Sequence, residues 1–246
     1  MAIHDLTSQR LYVDHPLTAG ALVPLAPEQA NYLCNVLRLV AGSRLLVFNG
    51  REGEWHATLR EAGKRKATLV IERIARPQSG GPDIDYLFAP LKRARLDYMV
   101  QKAVELGVAR LRPVITRRTI AERVNLERMR ANVIEAAEQC GVLRIPEVAA
   151  PERLDAVLDA WSHDRPLVLC DEEAEVASPL AALSTLSPGP VALLIGPEGG
   201  FAPEERSRLL LAPYTLAISL GPRIMRADTA AVAALALVEA VLGDWR

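Results

Sequence analysis

The spacing of apolar positions changes character along this chain of 246 residues. Up to residue 76 it is mostly that of short strands. Residues 43–48 and 54–59 flank Asn49-Gly50-Arg51-Glu52-Gly53, a hairpin signal, and 67–71 is a further β-like run. Between Pro27 and Leu39 the spacing switches to three and four, placing Ala30, Leu33, Cys34 and Leu37 on one helix face. A small β-barrel with one helix fits this order. A Pro- and Gly-rich stretch, Arg76-Pro77-Gln78-Ser79-Gly80-Gly81-Pro82-Asp83, reads as a linker. The expected division is a domain of 1–76, a linker of 77–83 and a domain of 84–246.

Beyond the linker, short apolar runs alternate with helical patterns. A strand at 84–90 precedes a helix at 94–106, with Leu96, Met99, Val100, Ala103 and Leu106 on one face and Gly107 at its end. A strand at 111–115 precedes a helix at 126–140, stopped by Gly141. Three further strands are expected at 166–170, 191–195 and 216–220. Such alternation predicts a parallel α/β sheet. The last run, 230–242, is apolar on nearly every face apart from Glu239 and is expected to be buried all round. A dimer interface or a single-domain core would bury it, and Asp228-Thr229 are good capping types in front of it.

Composition narrows the classes. Half the residues are hydrophobic and 24% are charged, as in a folded protein with a substantial core. The first ten residues lack the apolar centre of a signal peptide, and 230–242 is shorter than the ~20 residues that span a bilayer. Three widely separated cysteines (Cys34, Cys140, Cys170) suit a reducing compartment. Without a Cys-x-x-Cys pair, and with four scattered histidines, no zinc pattern is present. A cytoplasmic protein with no metal and no membrane contact is therefore expected. The net charge of −1 is unevenly spread: residues 92–130 carry 11 Lys/Arg against 4 Asp/Glu (+7), and 131–182 carry 3 against 11 (−8). A basic segment of that kind suits a phosphate-bearing partner.

The most informative stretches are two buried-strand patterns that each run into Gly-Pro. One is Leu194-Ile195-Gly196-Pro197-Glu198-Gly199-Gly200-Phe201; the other is Ser219-Leu220-Gly221-Pro222-Arg223-Ile224-Met225-Arg226. With the loop Asp171-Glu172-Glu173, they put three loops at the carboxyl ends of strands, the usual ligand position in open α/β sheets. Glycines at 196, 199, 200 and 221 let main chain approach a ligand closely. One Gly-Pro pair alone more often just ends a strand. The pattern is not Gly-x-Gly-x-x-Gly, so a dinucleotide site is not supported.

These two loops, in this order and spacing, strongly resemble the RsmE family, the bacterial 16S ribosomal RNA uridine-N3 methyltransferases of the SPOUT class. Weaker matches run along most of the chain: Arg10-Leu11-Tyr12-Val13, Asn35-Val36-Leu37-Arg38, Phe48-Asn49-Gly50, Gln101-Lys102-Ala103 and Glu105-Leu106-Gly107-Val108. The family's usual Arg-Thr-Glu-Thr-Ala is here Arg226-Ala227-Asp228-Thr229-Ala230. The resemblance implies a PUA-like β-barrel followed by an α/β methyltransferase domain with a deep trefoil knot at about 166–246. It also implies a homodimer, S-adenosylmethionine as cofactor, and 16S ribosomal RNA in the small ribosomal subunit as substrate.

Under that resemblance the cofactor would lie against Leu194, Gly196, Glu198, Gly199, Gly200, Ser219, Leu220, Gly221, Ile224 and Met225. Arg226 and Arg223 are the first candidates to hold the target nucleotide and stabilise a developing uracil anion, with Glu198 as a candidate base. None of the three cysteines sits in a nucleophile motif, consistent with attack at nitrogen without a covalent intermediate. Arg10, Arg38, Arg44, Lys92, Arg93, Arg95, Arg117 and Arg118 are candidate RNA phosphate contacts. The competing readings are a knotted ribose 2′-O-methyltransferase and a non-catalytic ribosomal RNA-binding assembly protein.

Overall fold

The computed structural model describes residues 9–63, 66–121, 123–175 and 178–245, and the chain divides into two units. The first comprises the chain up to Gly80 together with Ala137–Ile145; the second comprises Gly81–Ala136 and the chain from Pro146 onward. The inclusion of 137–145 in the first unit has no counterpart in the sequence pattern, which reads 126–140 as one helix.

In the first unit β1 (Arg10–Tyr12) lies parallel to β3 (Arg44–Phe48), and β3, β4 (Glu54–Ala62) and β5 (Ala67–Arg76) form an antiparallel meander. β2 (Leu22–Pro24) closes the order β1-β3-β4-β5-β2. Side chains from all five strands, among them Leu11, Val23, Val47, Leu59 and Leu69, meet in one core. A sheet whose members share a single core must curl round it, and register shifts between β4 and β5 supply the bends. The turn at 49–53 is built as its sequence predicts. Asn49 Oδ1 accepts from the amides of Arg51 and Glu52, and a Cβ on Gly53 would stand 2.4 Å from the Arg76 carbonyl oxygen. The helix expected at 27–39 is shorter: α1 (Pro27–Asn31) widens into a π-helical turn, Tyr32–Val36. That turn closes with Leu37 N donating to Tyr32 O, and Arg38, at φ 56, ends it.

Arg10, expected as an RNA contact, is turned inward instead. It is 7% exposed, and its Nε donates to Glu54 Oε1 at 2.6 Å. Nη1 donates to the Ala137 and Glu138 carbonyls, and the guanidinium lies 4.5 Å from the centre of the Phe48 ring. Arg76 Nε donates to the other oxygen of Glu54, also at 2.6 Å. A carboxylate buried in this way requires cationic donors, and these two arginines meet that need.

The second unit is a parallel sheet in the order β12-β10-β11-β6-β7-β8, with β9 beside β7. The strands are β6 (Ile84–Phe88), β7 (Arg110–Ile115), β8 (Glu147–Val148), β9 (Glu152–Arg153), β10 (Leu167–Cys170), β11 (Val191–Ile195) and β12 (Thr215–Ile218). The helices are α2 (Arg93–Glu105), α3 (Leu126–Cys140, of which the residues from Ala137 belong to the first unit), α4 (Leu154–Asp159), α5 (Pro179–Leu183), α6 (Pro203–Leu211) and α7 (Ala227–Val241). Every residue of β6 and β11 is buried, as expected of interior parallel strands, and only Asp85 of β6 breaks the apolar run. Buried Asp85 of β6 faces Arg110 at 3.2 Å and Arg112 and Arg165 each at 3.6 Å, so part of the basic segment serves the fold.

One expectation for the last helix, its cap, is corrected. α7 is covered on one face only: Ala230, Ala231, Ala234, Leu235, Val238 and Glu239 are buried, whereas Val232, Ala233, Ala236, Leu237 and Val241 are half-exposed. Its N-cap is Arg226, without a side-chain cap bond; Asp228 falls inside the first turn.

Burial raises the Glu54 carboxyl, but hydrogen bonds from Arg76 and Arg10 and their charges outweigh it and hold the group below the usual carboxylate range. A depressed folded value adds stability above the unfolded value of about 4.3, which is lost as pH falls through the folded value. Glu54→Gln should therefore cost about 3 kcal/mol near pH 7, because two enclosed guanidinium groups lose their counter-charge. Urea titrations of the two proteins at pH 7 and pH 3 check this, and the difference should shrink at the acid end.

Candidate functional site

Parallel pairing sets the site. Val168 of β10 is in register with Leu193 of β11 on one side and Leu216 of β12 on the other. The three strands therefore end at one level, and the loops beginning at Asp171, Gly196 and Ser219 leave the same edge of the sheet. They enclose a cavity of about 360 Å³. Gly196, Glu198, Gly199, Gly200, Ser219, Leu220, Gly221, Ile224 and Met225 all line it, together with Arg223 and Arg118. Leu194 does not: its side chain is enclosed in the core with Leu87, Leu169 and Leu209, and the next residue, Ile195, reaches the cavity instead. In an interior strand, alternate side chains point to opposite faces, so neighbours 194 and 195 differ.

Each loop is braced. Gly200, at φ +68, closes a turn in which its N–H donates to Pro197 O at 2.9 Å. Gly196 packs under the Phe201 ring, where an added Cβ would lie 2.7 Å from a ring carbon. Arg118 Nη1 donates to Gly199 O at 2.8 Å, so this candidate RNA contact shapes the β11 loop. Buried Glu205 accepts from Arg117 N at 2.8 Å and from Ala202 N at 3.0 Å, capping α6 and tying the segment after β7 to it. Arg117 itself pairs with Glu204 at 2.9 Å. In the β10 loop Asp171 takes a forked pair of bonds from Arg206, at 2.8 and 3.0 Å. Residue spacing singles out none of Asp171, Glu205 or Arg206 as a bracing group.

The candidate catalytic groups stand near the cavity mouth. Arg223 is exposed and lines it, whereas Arg226 is exposed at the start of α7, between the lining residues Met225 and Ala227. Neither makes an ion pair among the described residues. Glu198 is exposed and stands 3.7 Å from Arg95 Nη1. Ile224, expected as an apolar wall, is 90% exposed. Cys170 also borders the cavity, but burial pushes its thiol up to about 12, which removes thiolate chemistry near neutral pH. Of the remaining cations, Lys92, Arg93 and Arg95 are exposed at the start of α2, and Arg38 and Arg44 are exposed on the first unit.

Comparison with known proteins covers both units. The profile of an RNA methyltransferase domain matches residues 79–239, and that of an RNA methyltransferase PUA domain matches residues 25–72. The ribosomal RNA small subunit methyltransferase E of Rickettsia conorii is 33% identical over 233 residues, which cover 93% of this chain and 94% of that protein. A Legionella pneumophila methyltransferase, solved with bound S-adenosylmethionine, aligns with a TM-score of 0.85 at 31% identity, over 96% of this chain and 99% of the other. The Neisseria gonorrhoeae ribosomal RNA small subunit methyltransferase E, bound to S-adenosylmethionine, aligns with a TM-score of 0.83 at 27% identity, over 97% and 100%. Likeness that extends through both units over nearly the full length is what common descent of the whole chain produces: the chain belongs to the ribosomal RNA small subunit methyltransferase E family of RNA methyltransferases.

Proposed function

We propose that this protein uses S-adenosylmethionine to methylate N3 of a uridine in 16S ribosomal RNA of the small ribosomal subunit. The observation that carries this reading is the convergence of three strand-end loops on one cavity in a chain of this family. The residues present suit the cofactor. Main chain at Gly199, Gly200 and Gly221 borders the cavity, and a Cβ at any of them would meet no atom closer than 3.8 Å, which leaves amides and carbonyls open to read an adenine edge. Leu220 and Ile195 offer apolar walls, and Glu172 and Glu173 offer negative charge. When bound there, S-adenosylmethionine supplies an electrophilic methyl carbon on a sulfonium, to which N3 is directed.

Alignment of N3 is chiefly a positioning task. Arg223 and Arg226, neither held in an ion pair among the described residues, grip the nucleotide by its phosphate or its uracil oxygens. Their charge stabilises the uracil anion as the imide proton leaves. Glu198 stands at the mouth, where it takes that proton directly or through water. Leu194 acts from within the strand as core rather than as a cofactor wall. Arg38, Arg44, Lys92, Arg93 and Arg95 meet RNA phosphates, with Arg117 and Arg118 divided between RNA and the loops they brace.

The same reading assigns a homodimer, a trefoil knot across about 166–246, and a cytoplasmic location. Half-exposed Val232, Leu237 and Val241 on the outer face of α7, with exposed Leu180, Ile224 and Trp245, form the apolar surface that a second copy would cover. In support of the knot, β11 lies between β10 and the much earlier β6, and the chain continues to β12 on the far side of β10. No helix among the described residues is long and apolar enough to cross a membrane.

Three outcomes test this function. Labelled S-adenosylmethionine, offered with unmethylated small subunits and with naked 16S RNA, should place label in N3-methyluridine; label in a ribose-methylated nucleoside would overturn the base chemistry. Gly200→Val forces a branched side chain into positive φ and should abolish saturable cofactor binding in calorimetry, with an unchanged circular dichroism spectrum. Arg226→Ala should retain cofactor affinity and lose about 10²-fold in turnover, and full activity would remove Arg226 from the mechanism.

A further inference from the structure

A second cavity in the α/β unit adjoins the first. It lies between the first turn of α2, the segment after β7 and the start of α3, with a volume of about 1280 Å³. Glu198 lines both cavities, and its ion pair with Arg95 bridges their common edge. Buried Leu91, Val100 and Met129 make an apolar floor. Lys92, Arg93 and Arg123 stand exposed around it and make no ion pair among the described residues. Arg128, by contrast, is held by Asp97 through a forked pair, with Nη2 at 2.6 Å. That pairing keeps Asp97 below the usual carboxylate range and uses up the one acid of α2 that lines the groove. Both α2 and α3 begin here, so two positive helix ends add to the field of the three cations.

This combination selects among polyanions. In a duplex the apolar faces of the bases are stacked on one another, and what remains outside is phosphate and sugar; an apolar floor gains nothing from it. An unpaired strand offers both, with phosphates for the rim and free base faces for the floor. Ile120, 72% exposed at the same rim, offers an apolar contact to a base face. The volume exceeds the about 300–1,000 Å³ typical of a site for one small molecule, so more than one nucleotide is accommodated.

We propose that this groove is the track for an extended, unpaired stretch of RNA adjoining the target nucleotide, with Arg93 and Arg123 on its phosphates and Ile120 against a base. The proposal rests on the methyltransferase reading, because the shared Glu198 is what joins the track to the reaction cavity. It assigns Arg123 and Ile120, which no motif marks, to substrate binding. It also makes the substrate a locally single-stranded region rather than a helix.

The test is fluorescence anisotropy on the full-length protein with S-adenosylhomocysteine present, across a salt series, with an unstructured oligouridylate and a fully paired hairpin as probes. The oligouridylate should bind more tightly than the hairpin. Arg93→Ala combined with Arg123→Ala should weaken it about ten-fold and reduce the log–log salt slope by about 1.4, since each single-strand phosphate contact contributes about 0.7. Ile120→Ser should weaken binding about three-fold with the slope unchanged, because it removes apolar contact and no charge. Equal affinity for the hairpin, or an unaltered slope in the double variant, would overturn the track. Wild-type KM for RNA in the double variant, with methyl transfer intact, would overturn the track and leave the enzyme reading standing. Oligouridylate binding of the expected pattern without methyl transfer to any RNA would support the track and sink the enzyme reading.

Discussion

Parallel hydrogen bonding of β10 between β11 and β12 is the constraint from which the site follows. A parallel strand has no hairpin partner, so each chain crossing returns to the same end of the sheet, and three loops are delivered to one edge. The apolar interiors of these strands hold the register: Val168, Leu193 and Leu169 are inaccessible to water. A slip by one residue would turn each of them toward the wrong face. The level at which the three loops leave the sheet is therefore fixed by the strands beneath them.

Fixed strand ends do not by themselves give fixed loops, and charged side chains supply the remaining order. Arg118 on the Gly199 carbonyl, Glu205 on two amides and Arg206 on Asp171 each cross from one segment to another and leave glycine main chain facing the cavity. The same chemistry explains why so many arginines are unavailable to RNA. Glu54 and Asp85 are carboxylates inside their respective units, and Arg10, Arg76, Arg110, Arg112 and Arg165 gather round them. The cations left over near the cavity are those at the start of α2 and in the loops, on the side where chemistry is proposed.

Local pattern made most elements legible. The buried runs at 84–90 and 191–195 and the helix at 126–140, ended by Gly141, are visible because burial, helical spacing and glycine stops act over a few residues. The π-helical turn after α1 was not legible, because one extra residue in a turn leaves the spacing of three and four nearly unchanged. The one-sided cover of α7 within the chain was not legible for a different reason: an alanine- and valine-rich helix looks the same whether one face or all faces are covered within the chain.

By itself the sequence determined the parallel α/β class, the β-rich start, and two Gly-Pro loops at strand ends specific enough to resemble one family. These follow from composition and short-range spacing, which the chain carries with it however it folds. Only the tertiary structure decided which arginines are interior, since that depends on carboxylates distant in sequence: Arg10 meets Glu54, and Arg165 meets Asp85. It also decided that Ile195 rather than Leu194 reaches the cavity, because the face of a strand is chosen by the layers packed on either side. The groove beside Glu198 belongs to the same class of result, since its floor and rim come from α2, α3 and the segment after β7, brought together by sheet order alone.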